Sequence, residues 1–301
     1  MTVVFATYNI QYTLGQDGRY DLDRVVETIK GADIIALQEV QRFFPKSGNL
    51  DQAQAIADLL PDRYWAFGPQ VDIDASFPDA TGKLIHRRQQ EGNMLLSRWP
   101  ILSVRNHLLP YVGTTSNING QDAMIEGVID VDGRALRVYS LHLCHLMARD
   151  RLAQIDWLLD LNKRVWLEGG VWSADTSAGF GDWIGKPMPP MPFDAVYLGD
   201  FNFDPRDTEY DRIGGPRDPW FGRVHYRDLL VDTWVAAGHD EFAGVTYKAN
   251  ERFPDATWRL DYGFVTFTLA KAVRRAWIDN DATGSDHQPY WFELDLKGVA
   301  Q

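Results

Sequence analysis

The amino-terminal part of the chain alternates between apolar strands and an amphipathic helix, and this alternation restricts the fold more than any other feature. Val3–Tyr8 is rich in residues that favour strands, and Asp33–Leu37 is a short apolar run typical of a strand buried on both faces. Between them, apolar residues recur at i, i+3, i+4 and i+7 over 22–29, and Gly31 follows as a stop signal. The order strand, helix, strand predicts an α/β fold.

Paired strands follow in the middle of the sequence. Met124–Val131 and Leu136–Leu143 are separated by Asp132-Gly133, a hairpin signal because glycine tolerates the positive φ of the turn. The remaining predicted strands are Tyr64–Phe67, Asn93–Leu96, Ile101–Leu108, Ala195–Leu198, Leu260–Thr266, Ala272–Trp277 and Pro289–Leu294. The further predicted helices are Leu50–Leu60 and Arg149–Leu161. Because no repeat or low-complexity tract separates these elements, we expect one domain over residues 1–301.

One stretch, 167–192, interrupts this succession of helices and strands with several glycines and four prolines. Loops of more than about 15 residues in compact domains are usually functional or disordered, and this one is rich in aromatic residues and Met. Because it lies directly before Gly199–Asn202, we interpret it as an ordered insertion and a candidate lid. Trp172 and Trp183, and Trp220 beyond it, are expected to be packed rather than catalytic.

Charge and cysteine content exclude several classes of protein. Thirty Lys and Arg against 42 Asp and Glu give a net charge of −12, which does not suit a dedicated nucleic-acid coat. A single cysteine, Cys144, excludes an internal disulfide, and the first ten residues do not resemble an export signal, so we expect a cytoplasmic location. No apolar run approaches the roughly 18 residues needed to cross a bilayer.

Polar clusters end several of the predicted strands. They are Tyr8-Asn9, Gln38-Glu39 and Gly199–Asn202, and a fourth cluster, Ser285–His287, lies just before the last strand. In α/β sheets, groups at strand ends are delivered to a shared crevice. A carboxylate that directly follows a buried strand, as Glu39 does, needs a cationic partner, and carboxylate and amide oxygens suit Mg²⁺ or Mn²⁺ better than zinc. The alternative for Glu39 is a cap or a salt bridge.

The other clusters also have structural alternatives. Asp200 and Asn202, two apart in extended chain, point to the same side, or else they form an Asx turn that bonds only its own backbone. Asp261 opens an apolar strand, and its alternative is an ion pair with Arg259 or another base. His287 is either a site residue or a satisfied histidine at a turn.

Five segments together resemble a known family. TYNI, LQEV, LGDFN, WRLDYGFV and GSDH occur in this order between residues 7 and 287, and the sequence is thereby similar to the endonuclease/exonuclease/phosphatase superfamily, the deoxyribonuclease I-like group. Residues 91–98 and 140–143 resemble two further strands of that family. The resemblance implies a four-layer α/β/β/α sandwich of two stacked mixed sheets with outer helices, and a divalent-metal phosphoesterase.

The resemblance also implies roles at the metal and at the attacking water. Glu39, helped by Asn9, would hold Mg²⁺ (or Mn²⁺), and Asp286 would lie in or near the metal shell. Asp200 would position or deprotonate the attacking water. Asn202 would hold that water or a phosphoryl oxygen.

A second group of residues is implied to face the phosphate. His287 would polarise it, and Asp261 would orient His287 through the second ring nitrogen. His142 and Asn93 would add hydrogen-bond donors to the developing negative charge. The basic residues Lys83, His86, Arg87 and Arg88, placed just before Asn93, either contact a substrate phosphate at the pocket mouth or form a solvated charge run.

Three functions remain open from the sequence. The first is hydrolysis of a phosphodiester or phosphomonoester of a small molecule or lipid headgroup by in-line attack of water. The second is a metal-dependent nuclease of the apurinic-endonuclease type, which WRLDY and GSDH resemble, although the sequence lacks a basic stripe for a nucleic-acid backbone. The third, a noncatalytic scaffold, should have lost at least one metal or water residue, and the sequence retains them all.

Overall fold

β1 (Thr2–Asn9) and β2 (Ile34–Arg42) lie parallel, and α1 (Leu22–Ile29) connects them, as the sequence predicts. Asp21 caps α1 by accepting a hydrogen bond from the backbone of Arg24, and the apolar face of the helix packs on this sheet. The structure is a computed structural model that describes residues 1–173, 185–248 and 253–299.

Sixteen further strands and four further α-helices follow in the described ranges. The strands are β3 (Tyr64–Asp74), β4 (Phe77–Pro78), β5 (Leu84–Ile85), β6 (Arg88–Ser97), β7 (Ile101–Leu108), β8 (Ala123–Val131), β9 (Arg134–His142), β10 (Ala195–Asp200), β11 (Arg217–Asp218), β12 (Gly222–Arg223), β13 (Leu230–Asp232), β14 (Tyr247–Lys248), β15 (Thr257–Trp258), β16 (Asp261–Thr266), β17 (Val273–Ile278) and β18 (Tyr290–Asp295). The α-helices are α2 (Gln52–Leu59), α3 (Ala148–Glu168), α4 (Thr208–Gly214) and α5 (Thr233–Ala236). Short 3-10 turns lie at Gln11–Thr13, Pro45–Ser47 and Ala270–Ala272.

Two six-stranded mixed sheets form the centre of the fold. The first has the order β17-β18-β1-β2-β6-β3 and the second has the order β13-β16-β10-β9-β8-β7. Among the described strands, the parallel pairs are β1 with β2 and β9 with β10. Side chains such as Phe5 and Leu95 of the first sheet and Ile125 and Val196 of the second fill the space between them. The sheets are therefore stacked face to face.

Helices cover the two outer faces. α1 and α2 contribute Val25, Ile29 and Ile56 to the core on the outside of the first sheet. α3 and α4 contribute Leu158 and Ile213 to the core on the outside of the second sheet. The four-layer α/β/β/α sandwich is confirmed. No helix in the described ranges is both long and apolar enough to cross a membrane.

α3 is longer than predicted and shortens the expected loop. It continues past Leu161 to Glu168 because Val165 still faces the core and Arg164 bonds Asp160 and Glu168 one turn away on either side. Gly169, at φ 64°, ends the helix. The helix therefore takes up the first two residues, 167 and 168, of the stretch interpreted as a loop.

The carboxyl-terminal flank of the loop lies at the end of β10 opposite the crevice. Residues 185–194 lead into the amino end of β10, whereas Asp200 stands at the carboxyl end of that strand, roughly 20 Å away at the rise of an extended chain. On the other flank, the carbonyl groups of Gly169 and Gly170 accept hydrogen bonds from Arg105 on the edge strand β7. Residues 174–184, with Trp183, lie outside the described residues.

Trp220 is 90% exposed, so the expectation that it is packed is wrong. It lies with Phe221 at the tip of the β11–β12 hairpin. The carboxylate of Asp218 accepts hydrogen bonds from the backbone N–H groups of both residues, at 2.7 and 2.9 Å. Backbone hydrogen bonds, rather than burial of the indole ring, hold this turn.

Candidate active site

The carboxyl ends of both parallel strand pairs meet at one edge of the sandwich. Asn9 ends β1, and its side-chain Nδ2 donates hydrogen bonds to Glu39 Oε1 and Asp200 Oδ2, both at 3.0 Å. Its Oδ1 accepts from the backbone N–H of Gln11 at 3.1 Å. A single buried amide thus links carboxylates from the two sheets, and four predicted strand-end clusters lie together there as sheet topology requires.

Glu39 occupies a distorted point in β2. Its φ is 57°, within an irregularity of the β2–β6 pairing between Leu37 and Val40 that turns the side chain into the crevice. Burial raises the pKa of Glu39 to about 7, and the nearby Glu91 also raises it, whereas His142 opposes them. The Oε2 atom is buried and has no hydrogen-bond partner among the described residues. A carboxylate left in this state is suited to a divalent cation.

Asp200, the last residue of β10, is the centre of the crevice. Its Oδ2 faces Nε2 of His142 at 3.5 Å and Nε2 of His287 at 3.6 Å, in addition to Asn9. Its Oδ1 accepts a hydrogen bond from the backbone of Asn202 at 2.9 Å, which is the Asx turn. Asp200 therefore forms the Asx turn with one carboxylate oxygen and faces the histidines of the crevice with the other.

Asn202 does not follow the extended geometry that the sequence suggests. Its φ is 54°, so the same-side argument from strand alternation is wrong for Asp200 and Asn202. The side-chain Nδ2 of Asn202 donates to the carbonyl of Leu143 at 2.9 Å. This bond ties the end of β10 to the end of the neighbouring strand and leaves Asn202 at the mouth of the crevice.

Asp261 and His287 form a buried hydrogen-bonded pair. Nδ1 of His287 lies 2.8 Å from Oδ2 of Asp261, and the backbone N–H of Asp261 donates to the hydroxyl of Thr246 at 3.0 Å. Burial would lower the pKa of His287, but Asp261 and Asp200 outweigh burial and raise the pKa well above its ordinary value. The pair favours a cationic imidazole whose Nε2 points toward Asp200.

Two further predicted residues line the same crevice. Burial would lower the pKa of His142, but the carboxylates of Asp200 and Glu39 reverse this effect and raise it. Asn93 donates a hydrogen bond to the carbonyl of Ala123 at 2.8 Å. Within the described part of the chain, Nδ1 of His142 and Oδ1 of Asn93 are buried without a hydrogen-bond partner.

Asp286 lies next to the residues of the crevice but takes no part in the hydrogen bonds among them. It accepts from Nε2 of Gln11 at 3.0 Å and contacts the hydroxyl of Ser285 at 3.3 Å. In the described ranges it makes no hydrogen bond to the other predicted ligands. The tight acidic cluster consists instead of Asp200, Asp261 and His287, whose candidate ligand atoms lie within 4.8 Å of one another. Since the Asp261–His287 hydrogen bond already occupies two of these atoms, Glu39 and Asp200 offer the more available carboxylate oxygens.

Three residues of the crevice were missed from the sequence. Glu39 raises the pKa of the phenol of Tyr12, which therefore stays protonated beside that carboxylate. Glu91 accepts from Nε2 of Gln41 at 2.7 Å and lies two positions before Asn93, a spacing that would have identified it as sharing a face with Asn93. Thr246 supports Asp261, and no signal in the sequence marks it.

A polar link below the crevice joins the two sheets. Nε2 of Gln38 donates to Ser140 Oγ at 2.9 Å, and Ser140 donates to the carbonyl of Leu37 at 3.0 Å. Thr7 donates to Oε1 of Gln38 at 3.2 Å. These buried bonds fix the spacing of the strands that carry Glu39 and His142.

Comparisons with known proteins agree with the fold. A family model described as the Endonuclease/Exonuclease/phosphatase family matches residues 6–287. A structure of an endonuclease/exonuclease/phosphatase from Beutenbergia cavernae DSM 12333 is 22% identical, with a TM-score of 0.65 over 99% of this chain and 72% of that chain. A search of curated proteins found no match.

Two other structural neighbours carry more specific descriptions. The mannosyl-6-phosphatase Bt3783 of Bacteroides thetaiotaomicron VPI-5482 is 18% identical, with a TM-score of 0.60 over 98% of this chain and 100% of that chain. TDP2 of Caenorhabditis elegans is 17% identical, with a TM-score of 0.55 over 98% of this chain and 74% of that chain. At such identities the likeness shows the fold.

Proposed function

This chain belongs to the endonuclease/exonuclease/phosphatase family and is a hydrolase of phosphate esters, and from that premise we propose that its substrate is a phosphodiester or phosphomonoester of a small molecule or lipid headgroup. One observation carries the proposal. Within the described residues, four buried polar atoms at one sheet edge have no partner, and they are Glu39 Oε2, Asn93 Oδ1, His142 Nδ1 and Asp261 Oδ1. Because buried polar atoms are nearly always bonded in native proteins, such a group marks the place of a polar ligand.

Of the two available carboxylates, Glu39 and Asp200, we assign the metal to Glu39 because Asp200 takes the proton of the attacking water, and Asn9 and Asp286 lie beside Glu39. The carboxylates of Glu39 and Asp286 supply oxygen, which suits Mg²⁺ or Mn²⁺, and the unpartnered Oε2 of Glu39 is the strongest sign that they fit a cation. Asn9 turns its Nδ2 toward Glu39, and its Oδ1 accepts from the backbone of Gln11. A divalent cation held by Glu39 would supply positive charge that offsets the negative charge of the phosphate during hydrolysis. Asn9 keeps Glu39 and Asp200 at fixed separation through its two hydrogen bonds.

The protein groups then handle the water and the phosphate. Asp200 accepts a proton from the attacking water, and Asn202 positions that water at the mouth of the crevice. His287, held in one orientation by Asp261, donates from Nε2 to a phosphate oxygen. His142 and Asn93 line the same wall and stabilise the charge that develops as water attacks in line.

A small ester is favoured over a nucleic acid by two observations. The net charge of −12 opposes a long polyanion, and one neighbour is named a mannosyl-6-phosphatase. The alternative is a nuclease of the apurinic-endonuclease type, which the WRLDY and GSDH segments resemble.

One substrate panel tests the proposal. The protein is incubated with bis-(4-nitrophenyl) phosphate, 4-nitrophenyl phosphate, glycerophosphodiesters, sphingomyelin, plasmid and abasic DNA, each with Mg²⁺, Mn²⁺ or EDTA. Metal-dependent release from a small or lipid ester is expected, and efficient cleavage of DNA in preference to these esters would overturn the ranking. Glu39→Gln should lose at least about 10³-fold in turnover, whereas Glu293→Gln, a strand carboxylate paired with Arg275, should keep wild-type turnover.

A further inference from the structure

A two-stranded arm extends from the edge of the first sheet that carries the site. β2 pairs with β6 as far as Arg42 opposite Gln90, and beyond this point β6 pairs only with β3, up to Asp74 opposite Arg88. We define the arm as residues 73–89. The sequence places only Asn93–Leu96 in a strand, because the polar residues before it lack an apolar pattern. Hydrogen bonds between the two strands, rather than burial, hold this extension.

Alternation along β6 decides which arm residues face the crevice. Asn93 bonds the second sheet and Glu91 lies close enough to Glu39 to raise its pKa, so these odd positions face the site. Gln90 and Arg88 face the other way, since Gln90 accepts from Arg42 at 2.9 Å on that side. Arg87 lies one position before β6, and its carbonyl accepts a hydrogen bond from the backbone of Ala75 at 2.9 Å, which continues the register of Asp74 opposite Arg88. Since side chains two positions apart share a face of paired extended chain, Arg87 continues the row that begins at Asn93.

Arg87 is held differently from its basic neighbours. Its guanidinium carbon lies 4.9 Å from the ring centroid of Phe43 and 4.7 Å from that of Phe77. It is half-buried and forms no ion pair with any carboxylate of the described residues. Arg88, in contrast, is 52% exposed and pairs with Asp72 at 2.7 Å. Of these adjacent cations, Arg87 is the one that keeps its N–H groups available.

The backbone of Phe43 supports this geometry. Its φ is 61°, which is uncommon for a bulky residue and costs energy. A hydrogen bond from its N–H to the carbonyl of Leu50, at 2.9 Å, holds it there. The strained residue places a ring under Arg87, and the ring contacts reduce the entropy that the guanidinium loses when it binds.

We propose that Arg87 binds a second anionic group of the substrate, a carboxylate or a phosphate, at a distance from the phosphate that is cleaved. A guanidinium pairs with either anion through two parallel N–H groups. The row from Arg87 to Asn93 spans roughly 20 Å along the strand, which leaves about 10 to 20 Å between the two groups. This inference rests on the proposed phosphoester hydrolysis and adds that the substrate is an extended ester with a distal negative charge.

The test compares two substrates that differ only at the far end. They are the 4-nitrophenyl phosphodiester of 10-hydroxydecanoic acid and that of its methyl ester. For Arg87→Gln we expect KM for the acid to rise by about 10- to 100-fold, as for loss of a charged hydrogen bond, with kcat and the methyl ester unchanged. Arg88→Gln, the matched control on the opposite face, should change neither substrate.

The outcomes separate this inference from the proposed function. If Arg87→Gln leaves KM unchanged for both the acid and the methyl ester, or impairs the hydrolysis of both equally, the anion site is overturned. The proposed hydrolase function is unaffected by either result. If wild type cleaves neither diester, the proposed function is wrong for these esters. Calorimetric titration with 10-phosphonooxydecanoic acid then decides on Arg87 without turnover, because the site requires weaker binding to Arg87→Gln than to wild type and Arg88→Gln.

Discussion

Asp232 and Asp261 are buried aspartates on neighbouring strands, and their charges are compensated in different ways. Asp232 is 3% exposed and Asp261 is fully buried. Asp232 bonds Nη1 of Arg259 and the hydroxyl of Tyr210, both at 2.8 Å, and its other oxygen accepts from the backbone of Trp234. Both of its oxygens are therefore satisfied by groups that remain in place at any ordinary pH.

Asp261 is paired with a titratable group instead. Its Oδ2 contacts His287, and its Oδ1 is buried without a partner within the described ranges. Burial raises the pKa of Asp261, and the neighbouring His287 opposes this rise. The difference teaches that a fully satisfied buried carboxylate stabilises the fold, whereas a partly satisfied one beside histidine marks the site. The Arg259 ion pair that the sequence suggested for Asp261 belongs to Asp232.

The largest effect is expected for Asp261, the aspartate of the site. Asp261→Asn should lower kcat by about 10³- to 10⁴-fold, because His287 loses the carboxylate that sets its orientation and its charge. Initial rates on the ester found in the panel measure this. A parallel thermal melt should show a small change, and a loss of activity that only follows unfolding would contradict the assignment.

For Asp232, the aspartate that stabilises the fold, we expect the reverse pattern, a loss of stability with turnover retained. Asp232→Asn should reduce the free energy of unfolding by about 3–5 kcal/mol, because the guanidinium of Arg259 stays buried without its countercharge. Urea unfolding measures the loss. Turnover per folded molecule should remain within about twofold of wild type. A selective loss of turnover at full stability would remove the distinction between the two aspartates.

The dependence of stability on pH tests a third buried carboxylate, that of Glu39. Its pKa rises from 4.5 in the unfolded chain to about 7 in the folded protein, so the folded state binds the proton more tightly. Without metal, the free energy of unfolding should therefore decrease as pH rises from about 4.5 to about 7, by about 1–3 kcal/mol. Glu39→Gln should lack this fall in urea titrations with EDTA. Added Mg²⁺ should stabilise wild type at pH 8 and leave the variant unchanged, whereas an identical pH slope in both proteins would contradict the burial argument.

The smallest effect concerns the hydroxyl that supports Asp232. Tyr210→Phe removes one of its hydrogen bonds and should cost about 0.5–1.5 kcal/mol of stability. The kinetic constants should not change. A destabilisation as large as that of Asp232→Asn would show that the phenol, rather than the guanidinium, dominates the cluster.

The sequence predicted much of the architecture because its signals there are local. The helix over 22–29 and the Asp132-Gly133 hairpin follow from periodicity and turn chemistry, and both are observed. It failed on the arm strand before Asn93, whose polar residues carry no burial pattern. It also failed on Trp220, whose exposure depends on a turn held by backbone hydrogen bonds.

By itself the sequence determined which carboxylates and histidines stand at strand ends, and their order resembled one family. The family resemblance implied that Asp261 meets His287, and only the tertiary structure decided the other contacts. Asn9 reaches Asp200 across 191 positions, and Arg259 pairs with Asp232 rather than with Asp261. Hydrogen bonds of a few ångströms depend on sheet register and on how two sheets stack, and these are properties of the whole packed chain that no local pattern contains.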